Sequence, residues 1–185
     1  MRKILGVIVV LLCASGTASA ANIILEFKAQ YFSPSDEVFR DIYGGGVMYG
    51  GEVSIRVWKG LEVWFGGSSF SREGELTFTR EKTELKITPM GGGIRYRWQA
   101  KSLSPYLAAG LGAYQFNESN SIGEAEEVGR AYLAGIGTYL KITKGLLIDL
   151  YANYSVCELN PGDFAVDFEI DIGGFGAGIG IAYEF

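Results

Sequence analysis

Apolar and polar residues alternate one by one along much of this chain. The clearest stretch is residues 174–185, where glycine, alanine or glutamate separates the apolar residues Phe175, Ala177, Ile179, Ile181, Tyr183 and Phe185. A period of two predicts a β-strand, because successive side chains of a strand point to opposite faces. The same alternation recurs along other parts of the chain, clearly in 25–31, 47–57, 61–65 and 146–156 and more weakly in 85–98, 105–116 and 130–142.

The two faces of these strands predict a closed barrel. One face is apolar, whereas the other carries glycines and charged residues. Glycine on the second face indicates a crowded tube, because a soluble sheet would place polar side chains there. We therefore predict an all-β fold, a closed antiparallel up-and-down transmembrane β-barrel of about eight strands that each cross a bilayer when tilted. A soluble barrel or sandwich is the alternative.

Pro89 and Gly91–Gly93 interrupt the alternation in segment 85–98, and they predict a β-bulge in that strand.

The connections between the strands are asymmetric. Short turns are predicted at 58–61, 99–104 and 143–146, and long polar segments at about 33–45, 71–84, 117–129 and 158–171. This is the outer-membrane barrel pattern, with the short turns in the periplasm. The long segments hold most of the acidic residues, which argues against a nucleic-acid partner.

Aromatic residues near the strand ends predict two girdles at the membrane interfaces. The periplasmic girdle is expected to contain Trp58, Tyr96, Trp98, Tyr183 and Phe185, and the outer girdle Tyr31, Phe32, Phe70, Tyr114 and Phe116.

The N-terminus has the features of a secretory signal peptide. Arg2 and Lys3 precede an apolar run from Ile4 to Leu12, and small residues precede Ala21. We predict a cleaved signal peptide over 1–20 and one barrel domain over 21–185. A lipoprotein anchored at Cys13 is the alternative, which Leu12 disfavours. The processed chain keeps only Cys157, so an intrachain disulfide is excluded.

Charged residues on the glycine-bearing face are the candidate interior residues. An eight-stranded barrel is just wide enough for its own side chains, and unpaired charge inside it is costly. We therefore predict a lumen charge network whose members pair across the barrel as a polar plug, a gate for water or small ions being the alternative. The predicted members are Glu26, Lys28, Glu52, Arg56, Glu62, Arg95, Arg97, Asp149 and Glu184.

Catalytic chemistry has little support in the sequence. The chain contains no histidine, so a histidine base and histidine-dependent zinc sites are excluded. We expect no catalytic residue, no metal site, no cofactor and no enzymatic activity. Asp167, Glu169 and Asp171 share one face if extended, a weak candidate for a Ca²⁺ site whose default interpretation is an exposed hairpin rim.

The signal peptide, the strand rhythm and the terminal segment Ile181-Ala182-Tyr183-Glu184-Phe185 resemble the OmpA/OmpX-type outer-membrane β-barrel family. The segment Pro105–Gly112 resembles a common strand of such barrels. The resemblance implies location in the bacterial outer membrane and contact with its lipid and lipopolysaccharide. It also implies recognition of Ile181, Tyr183 and Phe185 by the barrel-assembly machinery.

We expect a monomer with a structural or surface-interaction role, and a small-solute or ion porin is the alternative function. OmpA itself carries a peptidoglycan-binding domain after the barrel, and we expect no such domain here, since the sequence ends at Phe185.

Overall fold

A computed structural model describes residues 23–75, 82–120, 124–159 and 170–185. The predicted signal peptide therefore lies outside the described residues. Nine strands and one helix are present in these ranges: β1 (Ile23–Pro34), α1 (Glu37–Tyr43), β2 (Gly46–Trp58), β3 (Leu61–Glu75), β4 (Lys82–Arg97), β5 (Leu103–Asn120), β6 (Glu124–Lys141), β7 (Leu146–Leu159), β8 (Ile170–Asp171) and β9 (Gly174–Glu184).

The sheet closes on itself as an eight-stranded antiparallel barrel, as the alternation predicts. Each long strand pairs with the next along the chain, β7 pairs with β9, and β9 pairs with β1. Phe27, for example, lies opposite Gly51 on one side and Ile181 on the other. The two-residue strand β8 adds a short pairing to the end of β7. Within the described ranges, no helix has the length and hydropathy of a membrane-crossing helix.

The two faces of the barrel are chemically distinct. Large apolar side chains cover the outside, where Phe65, Ile136 and Ile179 are each more than half exposed. Charged side chains such as Glu62, Arg95 and Asp149 are almost completely buried inside. This distribution inverts that of a soluble domain, and it matches a sheet whose outer face contacts lipid.

At the end of the barrel away from the short turns, the strands extend farther than the alternation of apolar and polar residues predicts. The β5–β6 pairing continues to Ser119 and Glu124, through residues that the sequence predicts as a loop. Alternation is lost there because both faces of a hairpin that extends beyond the membrane can meet water, while the backbone ladder continues.

The bulge predicted at Pro89 and Gly91–Gly93 is absent. These residues keep one register with β5, in which Pro89 lies opposite Tyr114 and Gly93 opposite Gly110. Proline lacks an N–H, but one missing donor does not require an extra residue in the strand. An irregularity occurs instead between Arg56 and Trp58, at the tight turn before β3.

The prediction of an outer aromatic girdle is wrong for four of its five members. Phe32, Phe70 and Tyr114 are buried inside the barrel, and the half-buried Phe116 packs against the same cluster, while Tyr31 is exposed on the outer face. Strand parity explains the difference, since Phe32 has the same parity as the inward Glu26 and Lys28. At the end with the short turns, Trp58, Tyr96, Trp98, Tyr183 and Phe185 are all exposed.

Candidate functional site: the barrel interior

The half of the interior near the short turns is filled by charged residues, here called the charged layer. Its members come from β1, β2, β3, β4, β7 and β9, and all occupy inward positions: Glu26, Lys28, Glu52, Arg56, Glu62, Arg95, Arg97, Asp149 and Glu184. All nine residues predicted from the sequence as a lumen network therefore lie together.

Two groups of contacts make up this layer. Nearest the turns, Glu184 Oε1 accepts from Arg56 Nη2 at 2.7 Å and from Arg97 Nη2 at 2.8 Å. Arg97 Nε lies 2.7 Å from Glu62 Oε1, an ion pair without the alignment of a hydrogen bond. Towards the middle of the barrel, Lys28 donates to Glu52 at 3.0 Å, and Arg95 also donates to Glu52. These contacts join five strands, β1 to β4 and β9.

Tyrosines complete the charged layer. The Tyr139 hydroxyl donates to Glu26 at 2.9 Å and accepts from Arg95 at 2.6 Å, and the Tyr106 hydroxyl donates to Asp149 at 2.7 Å. The guanidinium of Arg95 lies 4.3 Å from the centre of the Tyr106 ring, a cation–π contact. The sequence analysis missed both tyrosines, although each has the parity of an inward position.

The carboxylates of the charged layer outnumber its cations, five against four. Glu26 and Asp149 share Lys28 with Glu52 but lie farther from its Nζ, at 3.7 and 3.8 Å. One oxygen of each, Glu26 Oε1 and Asp149 Oδ1, is buried without a hydrogen-bond partner. Neither oxygen of Glu62 has a hydrogen-bond partner, but Arg97 Nε lies 2.7 Å from its Oε1. Glu26 and Asp149, which have no cation closer than 3.7 Å, are therefore the least compensated members of the layer.

Interior glycines provide the space that these large side chains need. A Cβ at Gly180 would collide with the Glu26 carboxylate, and a Cβ at Gly137 would lie 2.5 Å from the Tyr106 ring. Either contact would be shorter than a normal contact between non-bonded heavy atoms. On the inner face of β9, Gly180 thus leaves room for a charged group. Gly176 and Gly178 leave room for Gln30 of the neighbouring strand.

The opposite half of the interior is apolar, and this finding limits the predicted polar plug to one half of the barrel. Here it is called the apolar layer, and it consists of Phe32, Phe39, Tyr43, Met48, Phe70, Leu85, Ile87, Tyr114, Ala131, Cys157, Leu159 and Ile172. Phe70, Leu85 and Ile87 have no solvent exposure at all. Dispersion contacts and exclusion of water, rather than ion pairs, hold this half together.

Helix α1 covers the end of the apolar layer that lies away from the short turns. Asp36 caps its N-terminus by accepting from Phe39 N at 2.8 Å, and Gly44 ends the helix with a φ of 66°. Phe39 and Tyr43 lie four residues apart, so both rings face inward. The Tyr43 hydroxyl donates to Glu118 at 2.7 Å, and burial together with this bond raises the pKa of Tyr43 above its ordinary value.

A cavity of about 150 Å³, here called the chamber, lies between the charged and apolar layers. Lys28, Glu52 and Arg95 border it on one side, and Phe32, Met48 and Tyr114 on the other. Gln30, Trp64, Ser68 and Asn153 line its walls. The sequence pattern gave no sign of the chamber, because a gap between two layers depends on side-chain sizes from every strand.

The proposed calcium cluster is only partly visible. Asp167 and Glu169 lie outside the described residues. Asp171 Oδ1 accepts from the backbone nitrogens of Cys157 and Gly173, both at 2.8 Å, so this oxygen binds β7 to the start of β9. In the described ranges, no group of three or more carboxylate, histidine or cysteine side chains is arranged to hold a metal ion.

The residues predicted as an assembly signal lie on the outer face of β9. Ile181, Tyr183 and Phe185 are all exposed, and the rings of Tyr183 and Phe185 meet edge to face at 4.8 Å. Their recognition by the assembly machinery stays a prediction.

A closed eight-stranded barrel with an apolar exterior, aromatic residues at the turn end and a charged and an apolar layer inside is a small transmembrane β-barrel. Solved structures of the same fold support this class. No protein-family model matches the sequence, and no curated protein sequence matches it. Solved structures of small membrane barrels, in contrast, match this structure over most of its length.

Three solved structures illustrate the likeness. Neisserial surface protein A has a TM-score of 0.65 at 13% identity, over 88% of this chain and 97% of that one. The E. coli Outer Membrane Protein W has a TM-score of 0.54 at 11% identity, over 90% and 98%. The attachment invasion locus protein Ail of Yersinia pestis, solved with the heparin analogue sucrose octasulfate, has a TM-score of 0.52 at 13% identity, over 88% and 97%. The fold is that of the small eight-stranded outer-membrane β-barrels of the OmpA/OmpX-like type.

Proposed function

We propose that this protein resides in the bacterial outer membrane as a plugged barrel that presents acidic outer segments to partners and does not conduct solutes. The filled interior carries the proposal. Ion pairs span the charged layer from β1 to β4 and β9, and the apolar layer under α1 excludes water from the other half. An ion crossing the apolar layer would lose its hydration without gaining compensating partners.

The outer end of the barrel supports an interaction role of definite electrostatic sign. Among the residues whose exposure the structure describes, exposed carboxylates at this end outnumber exposed basic groups six to four. The acidic residues are Glu37, Asp41, Glu73, Glu84, Glu126 and Glu158, and the basic ones are Arg40, Arg72, Lys86 and Arg130. Ail, which shares the fold, was solved with a polyanionic heparin analogue. The acidic surface here favours a basic partner instead, because like charges repel.

Location is tested by fractionation and gel mobility. We expect the processed chain in the outer-membrane fraction, and we expect the unboiled sample to migrate differently from the boiled one in detergent gels. A processed chain that is monomeric in the periplasm without detergent would contradict the proposal.

Conductance is tested in planar lipid bilayers after the gel assay has confirmed a folded barrel. We expect the wild type to show no steady openings. A small-solute or ion transporter is the second candidate, and the chamber favours it. That function requires openings in the wild type whose conductance changes in Glu52→Gln or Arg56→Ala, because both residues belong to the charged layer.

An enzymatic role is not proposed for this chain. The absence of histidine in the sequence removes the commonest general base. Turnover of a lipid or glycoside substrate by the purified, folded barrel would contradict this.

A further inference from the structure

The chamber has a chemically asymmetric lining that points to a ligand. Two donors face a weak acceptor there: Gln30 Nε2 and Ser68 Oγ each lie 3.2 Å from Met48 Sδ. A thioether sulfur is a poor hydrogen-bond acceptor compared with oxygen. Asn153 also donates to Gln30 Oε1 at 2.6 Å, which orients the Gln30 amide and leaves its N–H groups on the Met48 side. These donors would gain from an oxygen acceptor in the chamber.

The remainder of the lining indicates the shape of the ligand. The rings of Trp64, Tyr106, Tyr114 and Tyr151 surround the chamber, and Leu133 adds an aliphatic wall. Aromatic rings pack well against other rings in offset or edge-to-face arrangements. A cavity of ~150 Å³ engineered in another protein accommodates benzene. The volume of the chamber, also about 150 Å³, thus suits a single ring with one small substituent.

The charged layer excludes an ionic ligand. Lys28 already contacts Glu26, Glu52 and Asp149, so its ammonium is fully engaged. The excess of carboxylates beneath the chamber repels an anion. A cation finds no free carboxylate in the lining, because Glu52 is already paired with Lys28 and Arg95, and the apolar layer above provides no partner either. An uncharged molecule remains as the compatible class.

We infer that the chamber is a binding site for a small uncharged aromatic molecule carrying one acceptor oxygen, which receives hydrogen bonds from Gln30 and Ser68. The ring lies against Trp64 and Tyr114. This inference does not depend on the role of the outer surface, and it holds for a barrel that is closed to ions.

The test uses the folded protein in detergent micelles with 4-fluorobenzyl alcohol as the probe, observed by ¹⁹F NMR. Its matched control is 4-fluorotoluene, which has the same shape without the oxygen. We expect a protein-dependent resonance for the alcohol, distinct from that of probe dissolved in the micelle. Absence of such a resonance with the wild type overturns the inference, because it leaves the chamber to water alone.

Two variants localise the binding. Gly135 lines the chamber, and a Cβ there would have no neighbour nearer than 3.6 Å, so Gly135→Leu can place its branched side chain in the chamber. We expect it to abolish the bound resonance of both probes. An undiminished resonance in this variant, with heat-modifiable mobility retained, overturns the inference, because it shows binding elsewhere.

Ser68→Ala removes one donor and leaves the volume almost unchanged. We expect the affinity for the alcohol to fall about three- to tenfold while that for 4-fluorotoluene stays the same, as for one lost hydrogen bond. Equal effects on both probes would overturn the role of the donors. If Gly135→Leu fails to fold, the ratio of the two affinities in Ser68→Ala still decides whether the alcohol binds in the chamber.

Discussion

Two glutamates that contact the same lysine have unequal positions in the charged layer. Glu52 accepts from Lys28 at 3.0 Å and also pairs with Arg95, whereas Glu26 lies 3.7 Å from Lys28 and keeps one buried oxygen without a partner. Since carboxylates exceed cations in this layer, removal of one charge need not harm it. The position of the charge removed decides the outcome.

Glu52→Gln is therefore expected to destabilise the barrel by about 3–5 kcal/mol, because it leaves buried cations undercompensated. Glu26→Gln should cost less than about 1 kcal/mol, since an amide oxygen can still accept from Tyr139. The measurement is the urea midpoint for loss of the folded gel band in lipid vesicles at neutral pH. Equal losses would show that Glu26 carries a charge the layer needs.

Two glycines on the inner face of β6 provide a matched pair for packing. A Cβ at Gly137 would meet the Tyr106 ring, which its hydrogen bond to Asp149 holds in place, whereas a Cβ at Gly135 would meet only ordinary contacts. We expect Gly137→Ala to cost about 1–3 kcal/mol and Gly135→Ala to be tolerated. The same urea assay measures both, and a neutral Gly137→Ala would show that Tyr106 can move away.

At the scale of elements, α1 is the feature that the sequence did not disclose. The alternation of apolar and polar residues has no register in 33–45, and a segment of that length is typical of a barrel loop. A helical signal was nevertheless present. Asp36 is a good N-cap, and Phe39, Ile42 and Tyr43 have the spacing of one helix face.

Helix capping predicts the behaviour of α1. Asp36→Ala removes the acceptor for Phe39 N and should cost about 1 kcal/mol locally, while Asp36→Asn keeps an acceptor. We expect amide hydrogen exchange across 37–43 to become about fivefold faster in the alanine variant only, with the global unfolding midpoint nearly unchanged. Unchanged exchange would indicate that packing of Phe39 and Tyr43 alone holds the helix.

The strands themselves were more predictable than their interior. Parity assigned all nine members of the charged layer, because an inward residue implies that the residue two positions along the strand also points inward. Parity also placed Phe32 and Phe70 inside, but a girdle was expected near these positions and obscured that signal. The division into charged and apolar layers arises from depth along the barrel axis, which requires the register between strands.

At the scale of the whole molecule, the middle of the barrel exterior faces the hydrocarbon of the bilayer, and the turn end lies near the membrane–water interface. Ile179 lies near the middle of the outer face of β9, and Ile142 lies at the turn end after β6; both are more than half exposed. A charge costs about 2–4 kcal/mol at the bilayer midplane and about 0–1 kcal/mol near the interface.

Ile179→Arg is accordingly expected to destabilise the folded barrel in lipid vesicles by about 2–4 kcal/mol, and Ile142→Arg by at most about 1 kcal/mol. The urea midpoint again provides the measurement. The two variants carry the same chemical change, so equal effects would contradict the proposed position of the bilayer.

The seam between β1 and β9 has a consequence for how the molecule comes into being. Phe27 and Ile181 are adjacent there, although almost the whole chain separates them in sequence. Until β9 arrives, the growing sheet has two open edges whose N–H and C=O groups hydrocarbon cannot satisfy. Stepwise entry of finished hairpins into bare lipid is thus disfavoured. Folding must be slow and concerted, with the polypeptide shielded from its neighbours until the ring can shut.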